Sequence, residues 1–324
     1  MKKTTSFKTL TLLTSATLAG ALLAGCDRPP EAPASSAAAS QAPAANAPAT
    51  NRENFDLVHV HGLSYSPDGS KIMIPSHHGL AVFDGSGWSK ASGPEHDYMG
   101  FSATKNAIYS SGHPAQGSGL ANPLGLIKST DGGQTWQKLG MEGESDFHML
   151  GSSYETGAIY LVSFNPNSKM KKPGIYSTVN DGFSWQRVAG QGLENYPSNL
   201  AVHPTDPKIV AAAAEKGLYL SQNAGERFEK VADGEMAGVF FDLDGKHLWF
   251  SIAEGQPGLA RLNLETRKTE RVTLPPMEKD AVAYIAQNPA KRNEYAIATF
   301  QRSVYITQDE GKTWKQIADK GQSV

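Results

Sequence analysis

The chain has 324 residues, with 30 Lys and Arg against 32 Asp and Glu and a formal net charge of −2. A balance so near zero argues against a nucleic-acid partner, which is normally met by a basic face. The single cysteine rules out a disulfide within the chain.

Lys2, Lys3 and Lys8 open the sequence, and an apolar run from about Leu10 to Leu23 follows. This is the layout of a signal peptide. The run is short for a membrane span, which takes about 20 apolar residues. It ends in Leu23-Ala24-Gly25-Cys26, which resembles a bacterial lipobox. The resemblance implies that residues 1–26 are a lipoprotein signal peptide with its lipobox Cys, cleaved before Cys26, with diacylglycerol on the Cys26 thiol and a lipid-anchored protein on the periplasmic side of the cell envelope. Asp27, next in line, implies retention at the inner membrane. Residues 27–54 are rich in Ala and Pro and almost free of large apolar side chains. Such a stretch cannot bury enough surface to offset its ordering entropy, so a disordered tether is expected. The folded domain is expected over residues 55–324, as a monomer.

That domain is repetitive. A short strand with a Gly-apolar start recurs at Gly79-Leu80, Gly125-Leu126, Gly174-Ile175, Gly217-Leu218 and Gly258-Leu259, with Ser303-Val304 as the sixth copy. The starts lie about 45 residues apart, the period of a four-stranded propeller blade. Each unit reads as an inner strand A, a turn, strand B, a loop, strand C, a tight turn and strand D. The A–B turns fall at Pro67-Asp68-Gly69, Thr104-Lys105-Asn106, Glu155-Thr156-Gly157, Pro204-Thr205-Asp206, Leu243-Asp244-Gly245 and Pro289-Ala290-Lys291. No segment keeps a helical period. The expected fold is all-β, a six-bladed β-propeller of four-stranded blades. How the ring closes is not visible in the sequence.

The C–D turns carry a motif. Asp131, Gly133 and Trp136 recur as Asn180, Gly182 and Trp185, as Asn223, Gly225 and Phe228, and as Asp309, Gly311 and Trp314. The pattern S/T-x-D/N-x-G-x-T/S-W resembles the Asp-box, or BNR repeat, of sialidases, sortilin-type ectodomains and photosystem II assembly-factor-like propellers. These residues are expected to build turns at the blade periphery, not to catalyse.

The nine histidines sort by face. Successive strands of a blade are antiparallel, so the start of strand A and the B–C loop share one end of the ring. His59 and His61 start A of blade 1, and His77 and His78 lie in its B–C loop. His96 opens A of blade 2, His113 lies in its B–C loop, and His148 lies in A of blade 3. His203 and His247 fall at A–B turns on the opposite end, as bland surface residues. The histidine segments also look like those of a subset of bacterial Asp-box lipoproteins and exported proteins, for which the resemblance implies the propeller but no activity.

Convergent imidazoles point to a transition metal at the channel mouth, Cu or Zn. The expected ligands are His59, His61, His96, His113 and His148, with His77, His78, Asp146 and Met99 as weaker candidates. Met149 is a further thioether, and a thioether would tilt the choice toward Cu(I); core filling is the commoner use of both methionines. A non-catalytic scaffold for a periplasmic protein partner is the first alternative, with Glu142, Glu144, Glu215 and Glu254 on its rim. A glycoside hydrolase of the BNR type is the second. A sialidase grips its substrate's carboxylate with three arginines. Here Arg187, Arg227, Arg261, Arg267, Arg271 and Arg292 fall away from the mouth and only Arg302 is well placed, which disfavours that activity.

Overall fold

The computed structural model describes residues 56–324. The expected signal peptide, Cys26 and the 27–54 tether lie outside the described residues. The remainder folds into six antiparallel sheets in chain order, each running A-B-C-D. Blade 1 is built from Ser64–Tyr65, Ile72–Ser76, Gly79–Phe83 and Trp88–Lys90. Blade 2 uses Asp97–Ala103, Ile108–His113, Leu126–Ser129 and Gln137–Gly140. Blade 3 uses Leu150–Ser152, Ile159–Ser163, Gly174–Thr178 and Gln186–Arg187. Blade 4 uses Asn199–Val202, Val210–Ala214, Gly217–Ser221 and Glu229–Ala232. Blade 5 uses Met236–Phe241, His247–Ile252, Gly258–Asn263 and Thr269–Val272. Blade 6 uses Val282–Gln287, Tyr295–Thr299, Val304–Thr307 and Lys315–Asp319, with Gln322–Ser323 as a fifth strand.

Neighbouring A strands touch all the way round, including blade 6 against blade 1, so they line a central channel. This is the six-bladed β-propeller expected from the repeats. The second strands explain their own composition. Ile72–Ser76, Ile159–Ser163, Val210–Ala214 and Tyr295–Thr299 are buried at every position. A strand covered on both faces by other sheets reads as a continuous apolar run, not an alternating one. Outer strands such as Gln186–Arg187 are exposed and polar. The core is divided into six apolar clusters, one per interface between adjacent blades.

All four Asp-boxes share one wiring. Asp131 Oδ1 accepts from Ser129 Oγ at 2.8 Å and from the Thr135 amide at 2.9 Å, and the Gly133 amide donates to Ser129 Oγ at 2.8 Å. The same bonds form around Asn180, Asn223 and Asp309. Gly133, Gly182, Gly225 and Gly311 all have positive φ. Each also lies where a Cβ would meet an apolar side chain of the preceding blade: Leu80, Leu126, Val188 and Val272 respectively. The glycine therefore serves both the turn and the approach of the sheets. The boxes are turns that set blade spacing.

Ring closure rests on the two ends of the described chain. Asp56 bridges Gln322 in antiparallel fashion, and the Leu57 amide donates to the Gly321 carbonyl at 2.8 Å. Leu57 is fully buried among blade 6 and blade 1 side chains. Trp88 of blade 1 donates its indole N–H to the Ile317 carbonyl of blade 6 at 2.7 Å.

Candidate functional site

Residues 58–63 lead from this seam to the start of strand A in blade 1. His59 and His61 lie on that lead-in, before the regular strand at Ser64–Tyr65. The His61 amide donates to the Pro75 carbonyl at 3.2 Å, which extends the A–B ladder by one tie. Gly62 passes so close to Phe101 of blade 2 that a side chain there would displace it. Being two apart on extended chain, the two rings share a side. They stack, with centroids 5.6 Å apart and planes 4° from parallel.

Blade 1 turns between B and C in two residues, His77 and His78, made possible by Gly79 at φ 92°. The turn splits the pair. His77 points inward, its ring centroid 4.2 Å from that of His59 and 5.0 Å from that of His61. His78 is exposed. One ring nitrogen from each of His59, His61 and His77 lies within 4.8 Å of the others.

A carboxylate completes the group, and it belongs to a residue that the sequence reading passed over. Asp97 opens strand A of blade 2. His77 Nδ1 lies 2.7 Å from Asp97 Oδ2, and His61 Nε2 lies 4.0 Å from Asp97 Oδ1. His61 Nε2 and Asp97 Oδ1 are both buried and neither has a hydrogen-bond partner. Burial pushes the His61 imidazole down to about 4, against the opposing pull of Asp97 and with help from His77, His59 and His148. His61 therefore stays neutral, with a lone pair to offer, through the physiological range.

His96, adjacent to Asp97, was expected among the ligands and is turned away. Neighbouring residues of a strand point to opposite faces. His96 is buried, its Nδ1 accepting from the Ala115 amide at 2.9 Å and its ring edge-on to Tyr98. It holds the B–C loop of blade 2. Met99 is buried, and Met149 packs against the blade 3–4 core while also lining the channel beside His61 and His148.

A second carboxylate gathers the other two candidates. Asp146 Oδ2 lies 3.1 Å from His113 Nε2 and 3.3 Å from His148 Nδ1. His113 ends strand B of blade 2, and His148 sits just before strand A of blade 3. His61 and His148 both line the central channel.

At the opposite end the expectation of bland surface histidines needs correcting. His203 is buried, with Nε2 3.0 Å from the Gly245 carbonyl and Nδ1 accepting from the Asp206 amide at 3.1 Å. It ties the A–B turns of blades 4 and 5 together. His247 is half-buried, with Nδ1 3.3 Å from Asp242 Oδ2. Asp242 Oδ1 accepts from Trp249 Nε1 at 2.6 Å and Tyr295 Oη at 2.8 Å. That carboxylate joins blades 5 and 6, and with Asp244 and His247 it forms a second group whose ligand atoms lie within 4.8 Å of one another.

The BNR/Asp-box repeat family model matches residues 127–138. The chain is a six-bladed β-propeller that carries a BNR/Asp-box repeat. The propeller is 25% identical over 224 residues to the oligoxyloglucan-reducing end-specific xyloglucanase of Emericella nidulans, a match that takes in 60% of this chain. It spans only 24% of that enzyme's length. Among solved structures it is similar to an ancestral GH74 enzyme, at 15% identity and a TM-score of 0.51, covering 83% of this chain and 40% of that chain. It is also similar to YCF48 bound to D1 peptide, at 19% identity and a TM-score of 0.48, covering 82% and 83% of the two chains.

Proposed function

We propose that the propeller binds a divalent transition-metal ion, Zn2+ or Cu2+, at its channel mouth. His59, His61 and His77 would hold it, with Asp97 as a further ligand or as the group that orients His77. One observation carries this reading: three imidazoles converge within 4.8 Å beside two buried, unpartnered atoms, His61 Nε2 and Asp97 Oδ1. A buried polar atom without a partner is costly, and a cation shared between the two removes the cost. Imidazole with carboxylate suits Zn2+ and Cu2+ better than Cu(I).

The test is Zn2+ and Cu2+ titration of full-length protein purified through a tag without histidines. His59→Ala with His77→Ala is expected to remove the ion bound at this site. Asp97→Asn is expected to weaken it by about 10- to 100-fold. Unchanged titrations in both variants would sink the reading. We further propose that lipid on Cys26 holds the domain at the periplasmic face of the inner membrane. Cys26→Ser should then move the protein from the membrane to the soluble fraction, and a protein that stays with the membrane refutes the anchor.

A protein-binding face is the second reading. Phe164 and Tyr196 are 46% and 50% exposed, yet pack edge-to-face at 5.6 Å on the same end of the ring as the histidines. Aromatic anchors of this kind are favoured in interfaces. Capture of a periplasmic partner that persists in chelator and fails with Phe164→Ala would favour it. The likeness to a xyloglucanase keeps hydrolysis as a third reading, checked by release of reducing ends from xyloglucan oligosaccharides.

A further inference from the structure

Blades 3, 4 and 5 repeat one juncture at the mouth end, where the close of a B strand meets the lead-in to the next A strand. Phe164 follows strand Ile159–Ser163, and Tyr196 precedes strand Asn199–Val202. One blade on, Glu215 follows Val210–Ala214 and Glu235 precedes Met236–Phe241. Aromatic rings stand at the first juncture and carboxylates at the second. All four residues line one open groove of about 550 Å3, together with Met149 and Met236. Asn195, beside Tyr196, donates from Nδ2 to Glu215 Oε2 at 3.4 Å and so ties the two junctures together.

The groove is one-sided in its chemistry. Its charged residues are Glu215 and Glu235, and no lysine or arginine lines it. Lys216, next to Glu215 in sequence, turns to Glu194 at 3.9 Å, and Lys230 meets the same Glu194 at 2.7 Å. Neither groove carboxylate is neutralised by them. Asn195 Oδ1 is buried and has no hydrogen-bond partner, which adds an acceptor. Phe164 and Tyr196 are half exposed and meet at 70°, so the groove also has a corner of two aromatic walls. Aromatic faces and unpaired carboxylates share one complement, an organic cation. A guanidinium suits both, because it stacks on a ring and donates a fork of N–H groups to a carboxylate. An ammonium is a more strongly hydrated point charge and stacks less well.

We propose that this groove takes an arginine side chain of a protein partner, stacked on Phe164 and Tyr196 with its guanidinium on Glu215 and Glu235. Such a partner presupposes the protein-binding face described as the second reading above, and gives that face the chemistry of its occupant. It needs none of the histidines, so a chelator leaves it in place.

Biotinylated peptides of Gly alternating with Arg, Lys, Glu or Ser, held on a biosensor surface, test this against the full-length protein. The Gly-Arg peptide should bind most tightly and the Gly-Lys peptide more weakly, with binding that fades as salt is raised. The Gly-Glu and Gly-Ser peptides should not bind. Glu215→Gln with Glu235→Gln, and Phe164→Leu with Tyr196→Leu, should each weaken the Gly-Arg peptide about 3- to 10-fold. The leucine pair stays apolar, so its effect separates a π contact from plain burial. Glu265→Gln, in the C–D turn of blade 5 at the opposite end, should change nothing. Thermal melts confirm that each variant is folded. A Gly-Glu peptide bound as well as Gly-Arg, or a Gly-Arg peptide indifferent to both variant pairs, overturns the proposal. A Gly-Lys peptide bound as tightly as Gly-Arg overturns the stacked guanidinium. Absence of all peptide binding overturns the proposal too. If capture of a periplasmic partner then still fails with Phe164→Ala, the protein-binding face stands without its arginine; if capture survives Phe164→Ala, the face falls as well.

Discussion

Asp131 and Asp309 show how much a single box residue carries. Hydrogen bonds from Thr135 and Thr313 hold their carboxyls down to about 2, against 3.8 without such partners. The unfolded chain therefore takes up protons between pH 3.8 and 2 that the folded chain refuses. The boxes' contribution is complete above that window and is lost as pH falls through it. Asn180 and Asn223 make the same turn without charge. Asp131→Asn with Asp309→Asn is thus expected to leave melting at neutral pH nearly unchanged and to flatten the acid limb of a Tm-against-pH profile. An acid limb identical to wild type refutes this. At the same scale, the metal candidates were only half legible. The face of each histidine followed from blade topology. Which way a side chain leaves its strand did not, because a shift of one position exchanges His96 for Asp97.

The strands were the most readable elements. Gly-apolar starts and A–B turns placed most of them because each repeat solves the same packing problem. The starts of strand A were less readable. His61 has one ladder bond and His148 precedes its strand, so periodicity has nothing to act on there. Strand Val210–Ala214 shows why composition follows position. Its four alanines are fully buried, packed between blade 3 and blade 5 side chains. Larger side chains have no space, and Ala212→Leu is expected to cost about 1–3 kcal/mol through overpacking. Denaturant melts check this, and an unaltered midpoint would show that the interface yields.

At the scale of the whole ring, closure left no trace in the sequence. Its ties join positions as far apart as Asp56 and Gln322, and among them the Arg302 guanidinium donates to the Val58 carbonyl at 3.1 Å. No local pattern marks a pair separated by 244 residues. The same bond withdraws Arg302, the one arginine that topology had placed near the mouth. Leu57 is the apolar pin of the seam, and Leu57→Ala is expected to cost about 2–5 kcal/mol. Calorimetry should show the loss in a single transition of the entire ring. An early transition confined to a few strands would mean that the seam opens without the rest.

The seam also decides how the molecule answers force. A pull on residue 56 falls first on the Asp56–Gln322 bridge and the Leu57–Gly321 bond, then on the Arg302 tie to Val58. The next residue along is His59. Latch and histidines are in series on one strand, so tension releases the latch and then draws His59 and His61 out of the mouth before it reaches the ladder of blade 1. Blades 2 to 5 stand outside that load path, and the group around Asp146 stands with them.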